Sequence, residues 1–364
     1  MKLVTFQIKR SAARAGVLID GGRHVLDLQA AHRARYGKSA RLLASVLAMA
    51  QAGDEALDLA ARLIKGARRA PSATHAVDRV TLLAPIPQPP QMRDFLCFEK
   101  HLVQAFGALR QVRAASAPDP AAALREMEAK GILAIPQVWY ERPIFYHPNR
   151  LNVIGTGHDV QWPAFSSQLD FELEFGCFIG KPGRDISKAR AREHIFGYTI
   201  FNDVSARDEQ MKEMPGQLGP GKGKDFDTGN ILGPCLVTAD EIGNPYRLKM
   251  EVRVNGERWG GGNSRDMRWK FEDCIAHASR AETMVPGEFF GSGTVGSGCG
   301  LEQMRFLKPG DVVEMEVEGI GVLRNRFVKP AAEMDDGPLT ARQMEAIRKA
   351  AGPVSRGRVS SSLH

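Results

Sequence analysis

The stretch LDFELEFG, residues 169–176, carries acidic residues at every second position: Asp170, Glu172 and Glu174. Leucine or phenylalanine stands between them, and this alternation has the period of a β-strand, so the three carboxylates share one face. An edge strand with a solvated acidic face is one interpretation. Surface strands usually mix acids with lysine and threonine, however, because like charges side by side oppose folding. Three acidic residues without a basic residue among them favour the interpretation that this strand contributes ligands to a cation site.

A further acid follows about 30 residues later in GYTIFNDVSARDEQ, where the pattern predicts a strand that ends at Asp203. A carboxylate at a strand end, facing a strand with two or three more, offers the hard oxygen ligands that Mg²⁺, Mn²⁺ or Ca²⁺ prefer. Zinc would favour histidine or cysteine. Alone, Asp203 would be typical of a turn. Together with Glu172 and Glu174 it predicts a divalent metal site.

Two glycine-rich stretches, GKGKDFDTGN and GSGTVGSGCG, lie further along the chain. Neither has the spacing of a phosphate-binding loop, and neither clearly joins a strand to a helix, so a nucleotide site is not indicated. The first stretch is interpreted as a loop whose backbone approaches a ligand and brings Lys224 with it. Solvent exposure of Lys224 is the alternative.

Composition excludes several classes of protein. The 49 lysine and arginine residues exceed the 42 acidic residues and give a net charge of +7, but they are scattered, which argues against a nucleic-acid partner. The five cysteines show no CxxC spacing and indicate reduced thiols in a cytoplasmic protein. No run of about 18 apolar residues occurs, so we expect no membrane association.

The elements that must position these residues fall into three parts. Residues 1–85 combine short strands with an alanine-rich helical stretch and predict a small N-terminal domain, bounded by the proline-rich connector LLAPIPQPPQMRD. Residues 86–335 predict the main domain, with a helical lid over about 98–135 and mostly antiparallel strands afterwards. Residues 336–364 predict a terminal helix and a mobile tail. The expected class is α+β, mostly β.

The stretches LDFELEFGCFIGK, GYTIFNDVSARDEQ, GKGKDFDT and GSGT, in this order, resemble the fumarylacetoacetate hydrolase family. The resemblance runs from about Asp94 to Val328. It implies a main domain built as a mixed β-roll or sandwich, a smaller α/β domain at the N-terminus, and a homodimer. The layout resembles the fumarylacetoacetase branch more than the small acylpyruvases. Leu96 and Met214 stand where that branch has tyrosines, and Gln104 stands where acylpyruvases have a glutamate.

The resemblance also implies roles for individual residues. Asp94, Glu172, Glu174 and Asp203 correspond to metal ligands, with Mg²⁺ as the expected ion. His101 corresponds to a catalytic histidine, although from the pattern alone it would be an exposed or core residue. The remaining correspondences are an acid that orients the histidine, residues that stabilise the oxyanion and residues that bind substrate. These are Glu302 for orientation, Arg207, Gln210 and Lys224 for the oxyanion, and Arg110, Tyr146, Gln210 and Thr294 for substrate.

The activity that this resemblance implies is hydrolysis of a carbon–carbon bond in a 1,3-diketo acid, such as an acylpyruvate or fumarylacetoacetate, in the catabolism of aromatic compounds. His101 would take a proton from water, and the metal would polarise the carbonyl. The alternative activity uses the same metal site without a water nucleophile. It is that of a decarboxylase, isomerase or hydratase of 2-oxo acids. A non-catalytic protein with a structural cation site is the third hypothesis.

Overall fold

The computed structural model of the chain describes residues 1–115 and 117–329. The predicted terminal helix and tail at 336–364 lie outside the described residues. The first two helices of the N-terminal part begin at polar side chains, since Asp27 and Ser45 accept hydrogen bonds from backbone amides of the first turns that follow them. The elements of this part are β1 (Lys2–Gln7), β2 (Arg14–Ile19), β3 (His24–Asp27), α1 (Leu28–Tyr36), α2 (Val46–Ala52), α3 (Asp54–Lys65), β4 (Thr74–Ala76) and β5 (Thr81–Leu83).

After the proline-rich connector, the helical segment predicted over about 98–135 is present as two helices, residues 99–114 and 120–129. Asp119 caps the second helix through the amide of Ala122. The first helix buries Leu102, Ala105 and Ala108, at the spacing of one helical face. A lid function for these helices stays a prediction. The elements are β6 (Met92–Phe95), α4 (Glu99–Ala114), α5 (Pro120–Ala129), α6 (Gln137–Glu141), β7 (Phe145–Tyr146), β8 (Val153–Ile154) and β9 (Asp159–Gln161).

The acidic stretch forms two strands, with a break at Phe171 and Glu172. Every residue of the second strand is buried, so both of its faces are covered and a solvated acidic edge is excluded. The strand that ends at Asp203 is buried along its whole length as well. The elements are β10 (Leu169–Asp170), β11 (Leu173–Ile179), β12 (Gly183–Arg184), α7 (Lys188–Ala191), β13 (Ile195–Asp203), β14 (Ser205–Ala206), α8 (Arg207–Glu213) and β15 (Asn230–Thr238).

In the last part of the chain, the motif VNGE (residues 254–257) stands between two alternating stretches and predicts a type I′ hairpin turn. Asn255 has φ 52° and Gly256 has φ 82°, as a type I′ turn requires at its two central residues. The hairpin prediction is confirmed. The elements are α9 (Ala239–Ile242), β16 (Lys249–Val254), β17 (Glu257–Asn263), α10 (Phe271–Ala278), β18 (Thr283–Met284), β19 (Phe289–Gly291), β20 (Val312–Val317) and β21 (Gly321–Val328).

One large sheet has the strand order β4-β3-β2-β1-β15-β13-β11-β19-β6-β7, with β5 beside β1 and β8 beside β15. The N-terminal strands join it because β1 pairs antiparallel with β15. They therefore share a sheet with the acidic strands, and the domain boundary at residue 85 stays a prediction. The strands that carry the acids, β6, β11 and β13, lie close together, separated only by β19 between β6 and β11.

A second sheet has the order β17-β16-β20-β21-β9 and packs against the large one. Phe175 of β11 and Tyr198 of β13 share a core with Val252 of β16 and Met315 of β20. Most strand pairs are antiparallel; the parallel ones among the described residues are β8 with β15, β6 with β19, and β9 with β21. The predicted α+β class with mostly β structure is confirmed.

Candidate active site

Three buried carboxylates converge at the centre of the large sheet. Asp94 of β6, Glu174 of β11 and Asp203 at the end of β13 each place one oxygen within 4.8 Å of the others. We call them the three-acid group. Asp94 extends over β19, where Gly291 leaves the necessary space. A Cβ atom at Gly291 would lie 2.3 Å from Asp94 Oδ1, so any other residue would displace this carboxylate.

The electrostatics of the three-acid group suit a cation. Burial, and then the charge of Asp203, raise the pKa of Asp94 well above its usual value. Burial, Asp94 and Asp203 do the same to the pKa of Glu174. Glu174 Oε2 and Asp203 Oδ1 are buried without a hydrogen-bond partner. An all-oxygen donor set with unused lone pairs fits a hard divalent cation, so a metal-binding site is supported here.

Glu172, also predicted as a metal ligand, has a different environment. Its Oε2 lies 2.5 Å from Lys224 Nζ, and its Oε1 lies 2.7 Å from Arg207 Nη2. Burial alone would raise the pKa of Glu172, but these two cations bring it below the usual range. Lys224 Nζ also contacts Asp203 Oδ2 at 2.5 Å. Glu172 is therefore next to the three-acid group but ion-paired, and metal ligation by it stays a prediction.

Asp170 holds two parts of the site together. Its Oδ2 accepts hydrogen bonds from Arg207 Nε at 2.8 Å and from the Leu301 amide at 2.9 Å, and its Oδ1 accepts from the Gly300 amide at 2.8 Å. Arg207 in turn donates to Gln210 Oε1 at 2.9 Å. The sequence showed Asp170 only as one of three alternating acids. In the sequence, the arginine of SARD, Arg207, could have indicated this role, because an arginine that becomes buried needs an acidic partner.

His101 and Glu302 form a hydrogen-bonded pair. His101 is the third residue of α4, and Glu302 lies in a short 3₁₀ turn, Leu301–Gln303. His101 Nδ1 and Glu302 Oε1 are 2.8 Å apart, and the two side chains are 9% and 0% exposed. The amide of Cys299 donates to the other oxygen of Glu302 at 3.2 Å. A solvent-exposed His101 is excluded; its catalytic role and the orienting role of Glu302 stay predictions.

Two predicted substrate contacts border the three-acid group. The Tyr146 hydroxyl donates to Asp203 Oδ2 at 2.7 Å, and Thr294 Oγ1 donates to Glu174 Oε1 at 3.4 Å. Tyr146 and Lys224 also line an open cavity of ≈ 780 Å³, whose lining includes residues 217–222 of the glycine-rich loop in which the stretch GKGKDFDTGN begins. A cavity of this size can admit a small acid, so the loop does approach a ligand-sized space.

Arg110 is not brought into this constellation. It lies nine residues after His101 on α4, which is two and a half helical turns, so its side chain leaves the opposite side of the helix. Its Nη1 donates to the Leu133 carbonyl at 2.9 Å, in the segment after α5. Gln104, one turn after His101, contacts Ser297 rather than the histidine. Substrate binding by Arg110 stays a prediction.

Comparison with known proteins identifies the family of this chain. The fumarylacetoacetate (FAA) hydrolase C-terminal family matches residues 115–328. The mitochondrial oxaloacetate tautomerase fahd2 of Xenopus laevis is 32% identical over 332 residues, 90% of each chain. The chain belongs to the fumarylacetoacetate hydrolase family.

Two further members of the family agree with this placement. Oxaloacetate tautomerase YisK of Bacillus subtilis is 31% identical over 86% of this chain and 95% of its own. The solved structure of a fumarylacetoacetate hydrolase from Exiguobacterium antarcticum superposes with a TM-score of 0.66 at 26% identity, covering 91% of this chain and 100% of the other. The family resemblance read from the motifs is thus confirmed.

The comparisons correct the predicted activity. The two relatives above that are more than 30% identical over most of the chain are named oxaloacetate tautomerases, which are isomerases, so the predicted carbon–carbon hydrolase is wrong, and so is its enzyme class. The names do not support a place nearer fumarylacetoacetase or a role in aromatic catabolism. Among residues 1–115 and 117–329, no helix is long and apolar enough to cross a membrane. Because one relative is mitochondrial, cytoplasmic localisation stays a prediction.

Proposed function

We propose that this chain is an isomerase that interconverts the keto and enol forms of a 2-oxo dicarboxylic acid, with oxaloacetate as the first candidate substrate. The observation that carries the proposal is the similarity to oxaloacetate tautomerases over 90% and 86% of the chain. The geometry supports it because the hydrogen-bonded pair of His101 and Glu302 lies near Glu172, a buried carboxylate that is paired with two buried cations.

Tautomerisation moves one proton between a carbon and the oxygen of the neighbouring carbonyl, and no water molecule is consumed. It needs a group that removes the proton from C3, after which the C2 oxygen of the enolate takes up that proton from the same group or one from solvent. Glu302 holds His101 at Nδ1, so Nε2 is the nitrogen left for the substrate. We assign to His101 the proton transfer at C3 and to Glu302 the orientation of the ring.

The negative charge that develops on the C2 oxygen needs nearby positive charge. Lys224 and Arg207 supply it, held in place by Glu172 and Asp170. Asp94, Glu174 and Asp203 would hold a divalent cation, with Mg²⁺ as the first candidate and Mn²⁺ or Ca²⁺ as alternatives; when bound, it would polarise the 2-oxo group. Gln210 keeps Arg207 in its position, and Tyr146 and Thr294 keep two of the carboxylates in theirs.

The test is the decay of enol oxaloacetate, followed by ultraviolet absorbance with saturating Mg²⁺. Wild type should accelerate it, and His101→Ala should lower kcat by roughly 10²–10⁴-fold, the usual contribution of a general acid–base group. His194→Ala is the matched control, because His194 is similarly buried but bonds to the Lys181 carbonyl. No acceleration by wild type, or release of CO₂ in its place, would refute the proposal.

The homodimer implied by the family resemblance also stays a prediction. It concerns the whole chain and is independent of the chemistry above. Light scattering at micromolar protein concentration measures it directly: a mass near twice 39.9 kDa is expected, and a mass near 39.9 kDa would contradict it.

A further inference from the structure

A sulfur atom lies beside the histidine–glutamate pair. Cys299 precedes Glu302 by three residues, and one ligand atom from each of His101, Cys299 and Glu302 lies within 4.8 Å of the other two. The thiol is fully buried, and Cys299 forms an isolated β-bridge with Glu172, which ties it to the acidic strand. The tautomerase mechanism proposed above gives this thiol no role.

The donor set here differs from that of the three-acid group. It combines nitrogen, sulfur and oxygen, which is the set that zinc and related ions prefer, whereas the three-acid group offers oxygen alone. With zinc bonds of about 2.0–2.3 Å, the donor atoms around one tetrahedral ion lie roughly 3.3–3.8 Å apart. Small rotations of the three side chains would bring the present spacing into that range.

The surroundings permit a cation at this position. The charged groups around Cys299 include the cation of Arg207 and three acids, Glu302, Asp170 and Glu172, so negative charge exceeds positive charge there. Apolar residues of α4 and of the turn close the other side, Ala105 and Leu301 among them. The amide of Cys299 fixes Glu302, so two of the three donors are held by one short turn.

We propose that His101, Cys299 and Glu302 form a second cation site, specific for zinc-class ions, and that its occupation switches off proton transfer by His101. The binding step displaces the thiol proton to solvent, leaves the ring proton of His101 on the nitrogen that does not bind the ion, and forms one bond each to sulfur, a ring nitrogen and a carboxylate oxygen, with no change of oxidation state. A histidine whose position and basicity are fixed by a metal can no longer shuttle a proton. The inhibitory part rests on the proposed tautomerase function; the binding part does not.

The binding test uses Co²⁺ as a spectroscopic substitute for zinc, with excess Mg²⁺ present to occupy the oxygen site. Wild type should develop the intense near-ultraviolet charge-transfer band of a cobalt–thiolate bond. The band should vanish in Cys299→Ala and in Cys299→Ser, which keeps the size of the side chain, and should persist in Cys97→Ala, a control whose thiol is equally buried. No band in wild type, or a band that survives both changes at Cys299, would overturn the site.

The activity test adds Zn²⁺ to the enzyme at saturating Mg²⁺. Because outer-shell changes alone cost 10–100-fold in metal affinity, removing a ligand in Cys299→Ala should raise the zinc concentration for half-inhibition by at least roughly that factor. Activity without zinc should be nearly unchanged in this variant. Equal inhibition of both proteins would show that zinc acts by replacing Mg²⁺ and would overturn the inhibitory role. If oxaloacetate is not the substrate, the cobalt band still decides whether the site exists.

Discussion

Two neighbouring groups of buried carboxylates in this site differ in how they are compensated. Asp170 and Glu172 each lie within 2.8 Å of a cation, whereas Asp94 and Glu174 contact none among the described residues. Burial is nearly complete in both groups. The pKa of Glu172 falls below its usual range, whereas burial raises the pKa of Asp170 although Arg207 lowers it, and the pKa values of Asp94 and Glu174 rise well above theirs. Contact with a cation, rather than the degree of burial, therefore distinguishes the carboxylates that build the site from those that await a cation.

The charge count supports the same distinction. Asp94, Asp170, Glu172, Glu174 and Asp203 are five carboxylates, and Arg207 and Lys224 are the two cations that contact them. Five negative against two positive charges leave an excess of three if all ionise. A buried excess of this size is removed either by protonation or by a divalent ion. The three-acid group is where the excess lies.

The largest effect is expected from the paired group. Asp170→Ala removes the partner of Arg207 and leaves the Gly300 and Leu301 amides without their acceptor. Removing one member of a buried ion pair typically costs about 3–5 kcal/mol, so the free energy of unfolding should fall by about that amount. Urea unfolding measures it. A loss below about 1 kcal/mol would show that water replaces Asp170, and the contrast between the groups would then disappear.

The opposite sign is expected in the three-acid group. Glu174→Gln removes a charge whose pKa is raised by burial and by its acidic neighbours, so the metal-free protein should gain about 1–2 kcal/mol at pH 8. The same change removes an oxygen donor and should weaken Mg²⁺ binding strongly. Urea unfolding in a chelator and calorimetric titration with Mg²⁺ check the two parts. Wild-type Mg²⁺ affinity in this variant would place the metal elsewhere.

The pH dependence of stability should also distinguish the groups. Asp94 and Glu174 have raised pKa values in the folded state, so the folded protein retains protons that the unfolded chain has lost. Stability of the metal-free protein therefore falls as pH rises above about 5, through the folded-state pKa values. Mg²⁺ replaces those protons, so its stabilisation should grow with pH, and each kcal/mol should raise the Tm of this 364-residue chain by about 1–2 °C. A Tm increment that is constant from pH 5 to pH 8 would contradict this assignment.

The smallest effect is expected at an exposed ion pair with good geometry. Arg326 donates to Asp159 with Nη2 and Oδ2 2.9 Å apart, a distance similar to that between Arg207 and Asp170. Both side chains are exposed to solvent, where water and salt screen the interaction. Arg326→Ala should leave the urea midpoint unchanged within error. A loss comparable to that of Asp170→Ala would mean that distance alone, without burial, sets the contribution.

Much of the site could be predicted from the sequence because its residues stand in local patterns. Alternation placed Glu172 and Glu174 on one strand face, and the strand ending at Asp203 brought the third acid beside them. The break after Asp170 was invisible, because period-two alternation continues through it. Asp170 consequently turned out to contact the turn at 300–301 rather than the other acids, through pairings set by distant strands.

Local sequence patterns could not predict the contacts between residues that are far apart in the chain. Asp94 and Glu174 meet across β19, and this depends on the missing side chain of Gly291, about 200 residues from Asp94. The activity could not be predicted from the sequence for a different reason. A metal site with a histidine serves hydrolysis and tautomerisation alike, since both need enolate stabilisation, and the residues themselves do not say whether water takes part.

The strands that carry Glu174 and Asp203 are interior ones, since β11 lies between β13 and β19, and β13 lies between β11 and β15. Amide hydrogens along them can exchange with solvent only when the sheet itself opens, so their exchange should report global unfolding. Leu218, in the glycine-rich loop above the cavity, is 99% exposed. Because the cavity that this loop lines is also lined by Tyr146 and Lys224, which both contact Asp203, we expect an ion or substrate to reach the carboxylates past that loop.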